Sequence, residues 1–270
     1  MNVPSRGFIK HALWLFFIFL LPASAVASKA QESQNAGQAE ALWEQAIAAK
    51  GGREQLYRIS SLVMSYQETV RNFLGLTMHR GIVERLYVFP GKSWEWDDGL
   101  PPPFRLIVRS INLERNLRCH VYGRASAPVC GPAKQANPPD EGIIQVQYLY
   151  LMETRWVKPV PLRVTEGRIG LKKVDVLHTR VDNRRVDYVL DRKTHLPVRV
   201  AVFYGSGDRA TFAVDLSKYV TVSGIQMPSK QKKGRISFQI NPLYDDGIFI
   251  HPPSVEGGPQ AWLRSITSTQ

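Results

Sequence analysis

The chain has 270 residues, 44% hydrophobic and 21% charged, a balance that excludes a disordered or fibrous class and allows one large domain or two small ones. Its 35 Lys and Arg against 23 Asp and Glu give a formal charge of +12, and its two cysteines exclude a densely disulfide-bonded scaffold. Such a charge inside a cell points to nucleic acid, but here the basic residues are scattered along the chain and the N-terminus gives another address.

Arg6 and Lys10 precede an apolar run from Ala12 to Leu21, closed by Pro22 and the small residues Ala23 to Ala27. A basic segment, a short apolar segment and an A-x-A site make residues 1–27 a secretory signal peptide, cleaved after Ala25 or Ala27. The run is short for a bilayer span, and no cysteine lies near the cleavage site to take a lipid. The expected compartment is the periplasm. There the partners of a basic protein are anionic lipid headgroups or acidic surfaces and not nucleic acid; a solvated basic surface with no dedicated partner is the alternative.

Residues 28–37 are small and polar and read as a flexible tail before a single domain at 38–270. From Gln38 to Lys50 the residues Leu42, Trp43, Ala46 and Ile47 share one helical face, and Gly51-Gly52 stops the helix. A short helical turn at 54–59 follows. The period then changes to two. Leu62, Met64 and Tyr66 alternate with polar neighbours, a second run from Met78 to Phe89 pairs with them across Asn72–Gly75, and Trp94-Glu95-Trp96 follows a turn.

The middle, 100–164, is the least legible part. Pro101-Pro102-Pro103 blocks regular structure, Phe104 to Ile111 fits helix or strand, and Glu141 to Glu153 fits either type with a helix start favoured by the prolines before it. Cys119 and Cys130 lie close in sequence, and in an oxidising compartment they read as a disulfide clasping a hairpin, worth on the order of 2–3 kcal/mol. A metal site on Cys119, His120 and Cys130 lacks further ligands at suitable spacing.

Strand patterning resumes at Leu171. Val186, Tyr188 and Leu190, then Val198, Val200 and Val202, then Phe212, Val214 and Leu216, then Ile225 and Met227, then Ile236, Phe238 and Ile240 form short runs broken by turns such as Gly205-Ser206-Gly207-Asp208. The result is a mainly β chain, a meander with one apolar face that a few helices must cover.

Enzyme signatures are absent: there is no GxSxG, no GxxxxGK[ST], no HExxH and no paired CxxC, so no catalytic residue, metal or cofactor is expected. His178 and His195 flank the strands carrying Asp182 and Asp187, and read as solvent-facing or structural histidines. Asp245 and Asp246 read as turn residues. The aromatic residues beside the strands fill either a plain core or the wall of an apolar cavity; Met64, Tyr66, Leu86, Trp94, Trp96, Tyr188, Val200, Phe212 and Phe238 are the candidates for that wall.

Several segments resemble the LolA/LolB-type lipoprotein-carrier superfamily. They are Ala41 to Leu62, Tyr188 to Asp191 with Leu196-Pro197, Gly224 to Pro228, and Asn241 to Asp246 followed by Phe249 and Pro252. The resemblance implies a strongly curved, unclosed antiparallel sheet, a half-barrel with helices on its concave face and a pocket for lipid acyl chains. It implies a non-enzymatic carrier or sensor of a lipid or acylated protein that meets inner- or outer-membrane components. The chain lacks the lipid-anchor cysteine of the membrane-anchored receptors in that superfamily. An envelope protein-interaction module without a lipid ligand is the alternative.

Overall fold

The computed structural model describes residues 21–263, apart from 72, 73, 75, 99–105, 125, 134–140, 206, 208, 232 and 233. The basic and apolar segments expected as a signal peptide lie almost wholly outside the described residues, as do the Pro101–Pro103 and Pro138-Pro139 clusters. No described helix is long and apolar enough to cross a membrane.

Helix α1 (Leu21–Lys50) runs through the stretch expected as a tail. Its composition there, rich in Ala, Gln and Ser and free of proline after Pro22, permits a helix despite Asn35 and Gly37. From Ala39 onward it has a buried stripe of Ala39, Trp43, Ala46, Ile47 and Lys50, spaced as one face of a 3.6-residue repeat. Gly51 N–H bonds Ala48 O at 3.1 Å and Gly52 N–H bonds Ile47 O at 2.9 Å, a Schellman-type ending. Gly51 is also required sterically, because a Cβ there would stand 2.6 Å from Gly224 O. The short helix α2 (Arg53–Tyr57) follows.

Thirteen antiparallel strands then form one sheet: β1 (Ser61–Arg71), β2 (Thr77–Val88), β3 (Lys92–Asp97), β4 (Ile107–Asn112), β5 (Leu117–Tyr122), β6 (Val129–Pro132), β7 (Val160–Ile169), β8 (Lys172–Val181), β9 (Arg184–Asp191), β10 (Pro197–Phe203), β11 (Phe212–Val222), β12 (Ile225–Gln231) and β13 (Gly234–Ile240). Their order is β6-β5-β4-β3-β2-β1-β13-β12-β11-β10-β9-β8-β7, so β13 returns to pair with β1 and joins the two meanders. Among the described residues no ladder joins β6 to β7, and the sheet is open. The segment 104–111 that fits either type is strand from Ile107. Cys119 and Cys130 face each other across β5 and β6 and form the disulfide.

The helical reading of 141–153 holds in an unusual form. Helix α3 (Glu141–Val146) widens into a π-turn (Gln147–Leu151) whose five residues are all buried. Tyr188 of β9 donates its hydroxyl to Tyr148 O at 2.8 Å, while the Tyr150 ring packs 5.2 Å from Phe238 of β13. Strands β9 and β13 lie four spacings apart, about 19 Å in a flat sheet. A turn this short reaches both because the sheet bends around it.

Each face of the sheet has its own core. α1, α2, α3 and the π-turn cover one face through Trp43, Ile47, Leu56, Val146, Tyr148 and Leu151, which meet Leu62, Met64, Tyr87, Leu177, Tyr188 and Val200. The opposite face of β1–β4 is covered by the C-terminal segment, whose 3-10 turns (Asp246–Phe249 and Gly258–Gln260) bring Phe249 and Trp262 onto Val63, Leu86, Trp94, Trp96 and Val108. Asn241 starts that segment by pinning β1: its Oδ1 accepts from Ser60 N at 2.8 Å and Ser61 N at 3.1 Å, and its Nδ2 donates to Arg58 O.

Candidate functional site

Beside the junction of the two meanders, the seam between β12 and β13 is narrow. Described pairing between β12 and β13 consists of Lys230 with Arg235 and Gln231 with Gly234, whereas β13 pairs with β1 from Ile236 to Ile240. Gly234 lets the chain pass close to β1, since a Cβ there would stand 3.2 Å from Gln67 O. On the β12 side, Lys218 of β11 leaves the extended conformation at φ 55, and Ser229 donates its hydroxyl to Lys218 O. A left-handed lysine inside a strand is a costly conformation, of the kind found where a side chain must be re-aimed.

These departures from a regular ladder leave a groove of about 890 Å³. Its apolar lining comes from Tyr66, Ile82 and Ile236, its charge from Lys218, Lys230 and Arg235, and its hydroxyls from Ser65, Ser229 and Ser237. Among the described residues no carboxylate pairs with any of the three cations. Tyr66 is held by Arg85, which sits 5.8 Å from its ring and is itself bound to Glu95 at 2.7 Å. Behind the seam, Gln231 donates to the Tyr150 hydroxyl and latches the π-turn to β12; burial pushes that hydroxyl up to about 12. A smaller pocket of about 280 Å³ lies against Ile144, Trp156, Val157 and Val181.

The nine residues expected to line one cavity fall in three places. Met64, Tyr188, Val200 and Phe238 are buried in the helix-covered core, where Tyr188 meets Trp43 at 5.4 Å and Phe238 meets Tyr150, and Phe212 packs half-buried at its margin. Tyr66 also packs at that margin and lines the groove. Leu86, Trp94 and Trp96 point to the other face, under Phe249 and Trp262. Register sets this split: Val63 opposes Leu86, which opposes Trp94, so all three share the parity of Val63 and not that of Met64.

Sequence reasoning missed Lys218, Lys230 and Arg235. A signal was present in Lys230-Gln-Lys-Lys-Gly-Arg235, a basic cluster at a turn, within a chain whose charge reads as scattered.

Two buried charged groups fix the helices, Glu153 to the loop after the π-turn and Lys50 to the sheet. Glu153 accepts from Trp43 Nε1 at 3.0 Å, Arg53 Nε at 3.0 Å and the Tyr57 hydroxyl. Burial pushes its carboxyl up, but these bonds and the Arg53 charge outweigh burial and hold it below the usual carboxylate range. Lys50 is enclosed at the end of α1, donating to Gln226 O with Met227 Sδ at 3.8 Å and the Tyr219 ring at 5.2 Å, and burial lowers it to about 7.

On β7–β9, His178 lies 2.9 Å from both Thr165 Oγ1 and Asp187 Oδ1. This hydroxyl–imidazole–carboxylate row lies across three paired strands whose backbone amides are spent in the β7–β8 and β8–β9 ladders. A polar ladder accounts for it. Asp182 and His195 sit in separate turns with positive φ and do not join it. Asp245 accepts from Gly247 N at 2.9 Å, the turn role expected of it. Among the described residues no three His, Cys, Asp or Glu side chains cluster as metal ligands.

No family model and no curated protein matches the chain. Among solved structures it is similar to a LolA superfamily protein from Nitrosomonas europaea, at 16% identity and a TM-score of 0.46, over 76% of this chain and 96% of that one. A DUF1329 family protein from Desulfovibrio piger is similar at 12% identity and 0.45, over 78% and 97%. An outer membrane lipoprotein-sorting protein domain from Vibrio parahaemolyticus is similar at 7% identity and 0.42, over 80% and 97%.

Proposed function

We propose that the chain is a periplasmic, non-enzymatic carrier or sensor of an anionic amphiphile, a lipid or the acyl chain of a lipoprotein, held at the seam between β12, β13 and β1. The observation that carries this reading is the groove, where Tyr66, Ile82 and Ile236 lie beside Lys218, Lys230 and Arg235. Its volume falls in the range of small-molecule sites. The apolar residues cover the chain, worth roughly 0.8 kcal/mol per buried methylene, and the three cations receive the headgroup. Met64, Phe212 and Phe238, with Tyr188 and Val200 deeper, extend the site when the Tyr150–Gln231 latch opens; Leu86, Trp94 and Trp96 have no part in it.

The test is titration of delipidated protein with a fluorescent fatty acid and with the matching fatty alcohol. Saturable uptake is expected, with the acid bound about tenfold tighter, and Lys230→Glu with Arg235→Glu is expected to abolish that preference. Absence of saturable uptake overturns the carrier reading.

A second reading rests on β7. This ten-residue strand is paired on one side, with β8, and leaves Val160, Leu162 and Ile169 partly exposed and Leu171 99% exposed beyond it. Helix α1 packs against this strand, and where α1 leaves it uncovered such an edge accepts a strand from a protein partner. A stable partner recovered from envelope extract with no co-purifying lipid favours it over the carrier.

A further inference from the structure

Glu84 of β2 stands between the groove and the C-terminal segment. Its row runs across the sheet from Ser65 of β1 to Trp96 of β3. The residue is 4% exposed. Its Oε2 accepts from Ser65 Oγ at 2.9 Å, and its Oε1 accepts from the Trp262 indole N–H. Ser65 lines the groove and Trp262 belongs to the core under the C-terminal segment, so one buried carboxylate touches both. A carboxylate has room for about four hydrogen bonds, and both of these come from neutral donors.

No cation is bonded to Glu84 among the described residues. Beside it on the same face lie Val63 and Gln67 of β1, Trp94 of β3, and Ile82 and Leu86 of its own strand, none of them charged. Asp98 has its carboxylate on the Ile82 amide, and Glu68 stands at the other parity of β1, opposite Gly81. Arg80 and Lys92 hold same-face positions two rows away, about 13 Å along the strands, and Lys92 is bonded to Asp246. In the C-terminal segment Asp245 is bonded to the Gly247 amide, while His251 and Glu256 are exposed. The groove cations Lys218, Lys230 and Arg235 lie beyond Ser65, toward β11–β13. Burial therefore pushes the Glu84 carboxyl above its usual range, and the bonds from Trp262 and Ser65 offset part of that push.

Ser65 has one hydroxyl proton and spends it on Glu84. A headgroup oxygen that takes this proton leaves Glu84 with Trp262 alone and places a second negative charge about 5 Å from the first. Both changes favour a proton on Glu84, and by reciprocity a protonated Glu84 favours the anion. We propose that Glu84 is a specificity-determining residue of the groove, opposing an anionic headgroup through Ser65 while charged and admitting it once protonated. The inference rests on the carrier reading and adds that uptake of an anion is linked to one proton. Affinity for a permanently charged amphiphile then rises as pH falls. Trp262, whose indole N–H stabilises the charged form, sets the pH at which it does so.

The experiment titrates the delipidated full chain between about pH 8 and about pH 4.5 with a fluorescent alkyl sulfonate, which stays anionic, and with the matching alcohol. The sulfonate is expected to bind about tenfold tighter at the acid end, and the alcohol equally at both. Glu84→Gln is expected to bind the sulfonate at the alkaline end as tightly as the wild type does in acid, with most of the pH dependence gone. Groups elsewhere in the protein are common to both and leave this difference untouched. Trp262→Phe keeps a packed ring without the donor and is expected to move the midpoint to higher pH. An unchanged profile in Glu84→Gln, a midpoint that stays in place in Trp262→Phe, or a flat profile in the wild type overturns the inference, while saturable uptake leaves the carrier standing. Absence of uptake of either probe at every pH overturns both.

Discussion

Lys50 closes α1 with its ammonium enclosed and no carboxylate paired to it among the described residues. Burial lowers its pKa in the fold to about 7, against the ordinary lysine value near 10.5 in the unfolded chain. Between those values the unfolded state binds more protons, so stability rises as pH rises from about 7 toward 10, and below about 7 the full cost of burying the charge applies. Lys50→Met is expected to flatten this slope, removing an effect on the order of a few kcal/mol. Thermal melts from pH 6 to 9.5 decide it, and an equal slope in the variant rejects the assignment. Glu153 gives a slope of the same sign in an acidic window. Its depressed carboxyl contributes stability above the unfolded value that is lost as pH falls through the folded one. Glu153→Ala strands the Trp43 N–H and Tyr57 hydroxyl and is expected to cost roughly 2–4 kcal/mol by urea denaturation. The sequence shows Trp43 as a helix-face residue but not its partner, because Glu153 lies 110 residues away and enters through a turn with no pattern of its own.

At the scale of elements, alternation makes most strands legible. Where one face is buried and the other wet, as in β13 or β3, period two is plain in the residues themselves. Strand β7 is the exception, since it is exposed on most of both faces as an edge and has little apolar alternation to read. The π-turn is the other, because a helix widened to meet Tyr188 and Phe238 takes its shape from the sheet around it and not from propensity. The seam was illegible for a related reason: pairing length between β12 and β13 depends on where β1 captures β13, a long-range event. Short pairing has a dynamic consequence. Amides at Gly234 and Arg235 are expected to exchange much faster than those of β9 and β10, which are paired on both sides, and fatty-acid binding is expected to slow them. Hydrogen exchange read by mass spectrometry checks both; uniform protection across β9–β13 argues against a seam that opens.

For the whole molecule, the decisive feature is that one sheet supports two cores, each closed by a different part of the chain. Sequence supplies the apolar residues of both but not their division, since a parity difference between Met64 and Leu86 becomes visible only once β1 and β2 are in register. Three residues expected in the ligand wall, Leu86, Trp94 and Trp96, are the bed for Trp262, which is fully buried and donates its indole N–H to Glu84. The last segment therefore acts as a clamp on β1–β4, on the face away from the helices and one carboxylate from the groove, since Glu84 also accepts from Ser65 Oγ at 2.9 Å. Trp262→Ala is expected to cost roughly 3–5 kcal/mol through the cavity it leaves. Ending the chain after Asn241 is expected to expose Leu86, Trp94 and Trp96 together, with a rise in dye binding to apolar surface and aggregation on warming. In the same truncated protein the helix-covered core and the groove keep all their residues, so fatty-acid uptake at low temperature is expected to persist. Loss of uptake in parallel with the rise in dye binding would show that the two cores fold as one unit, and that the ligand site depends on the clamp through Glu84, which accepts from both Trp262 and the groove-lining Ser65.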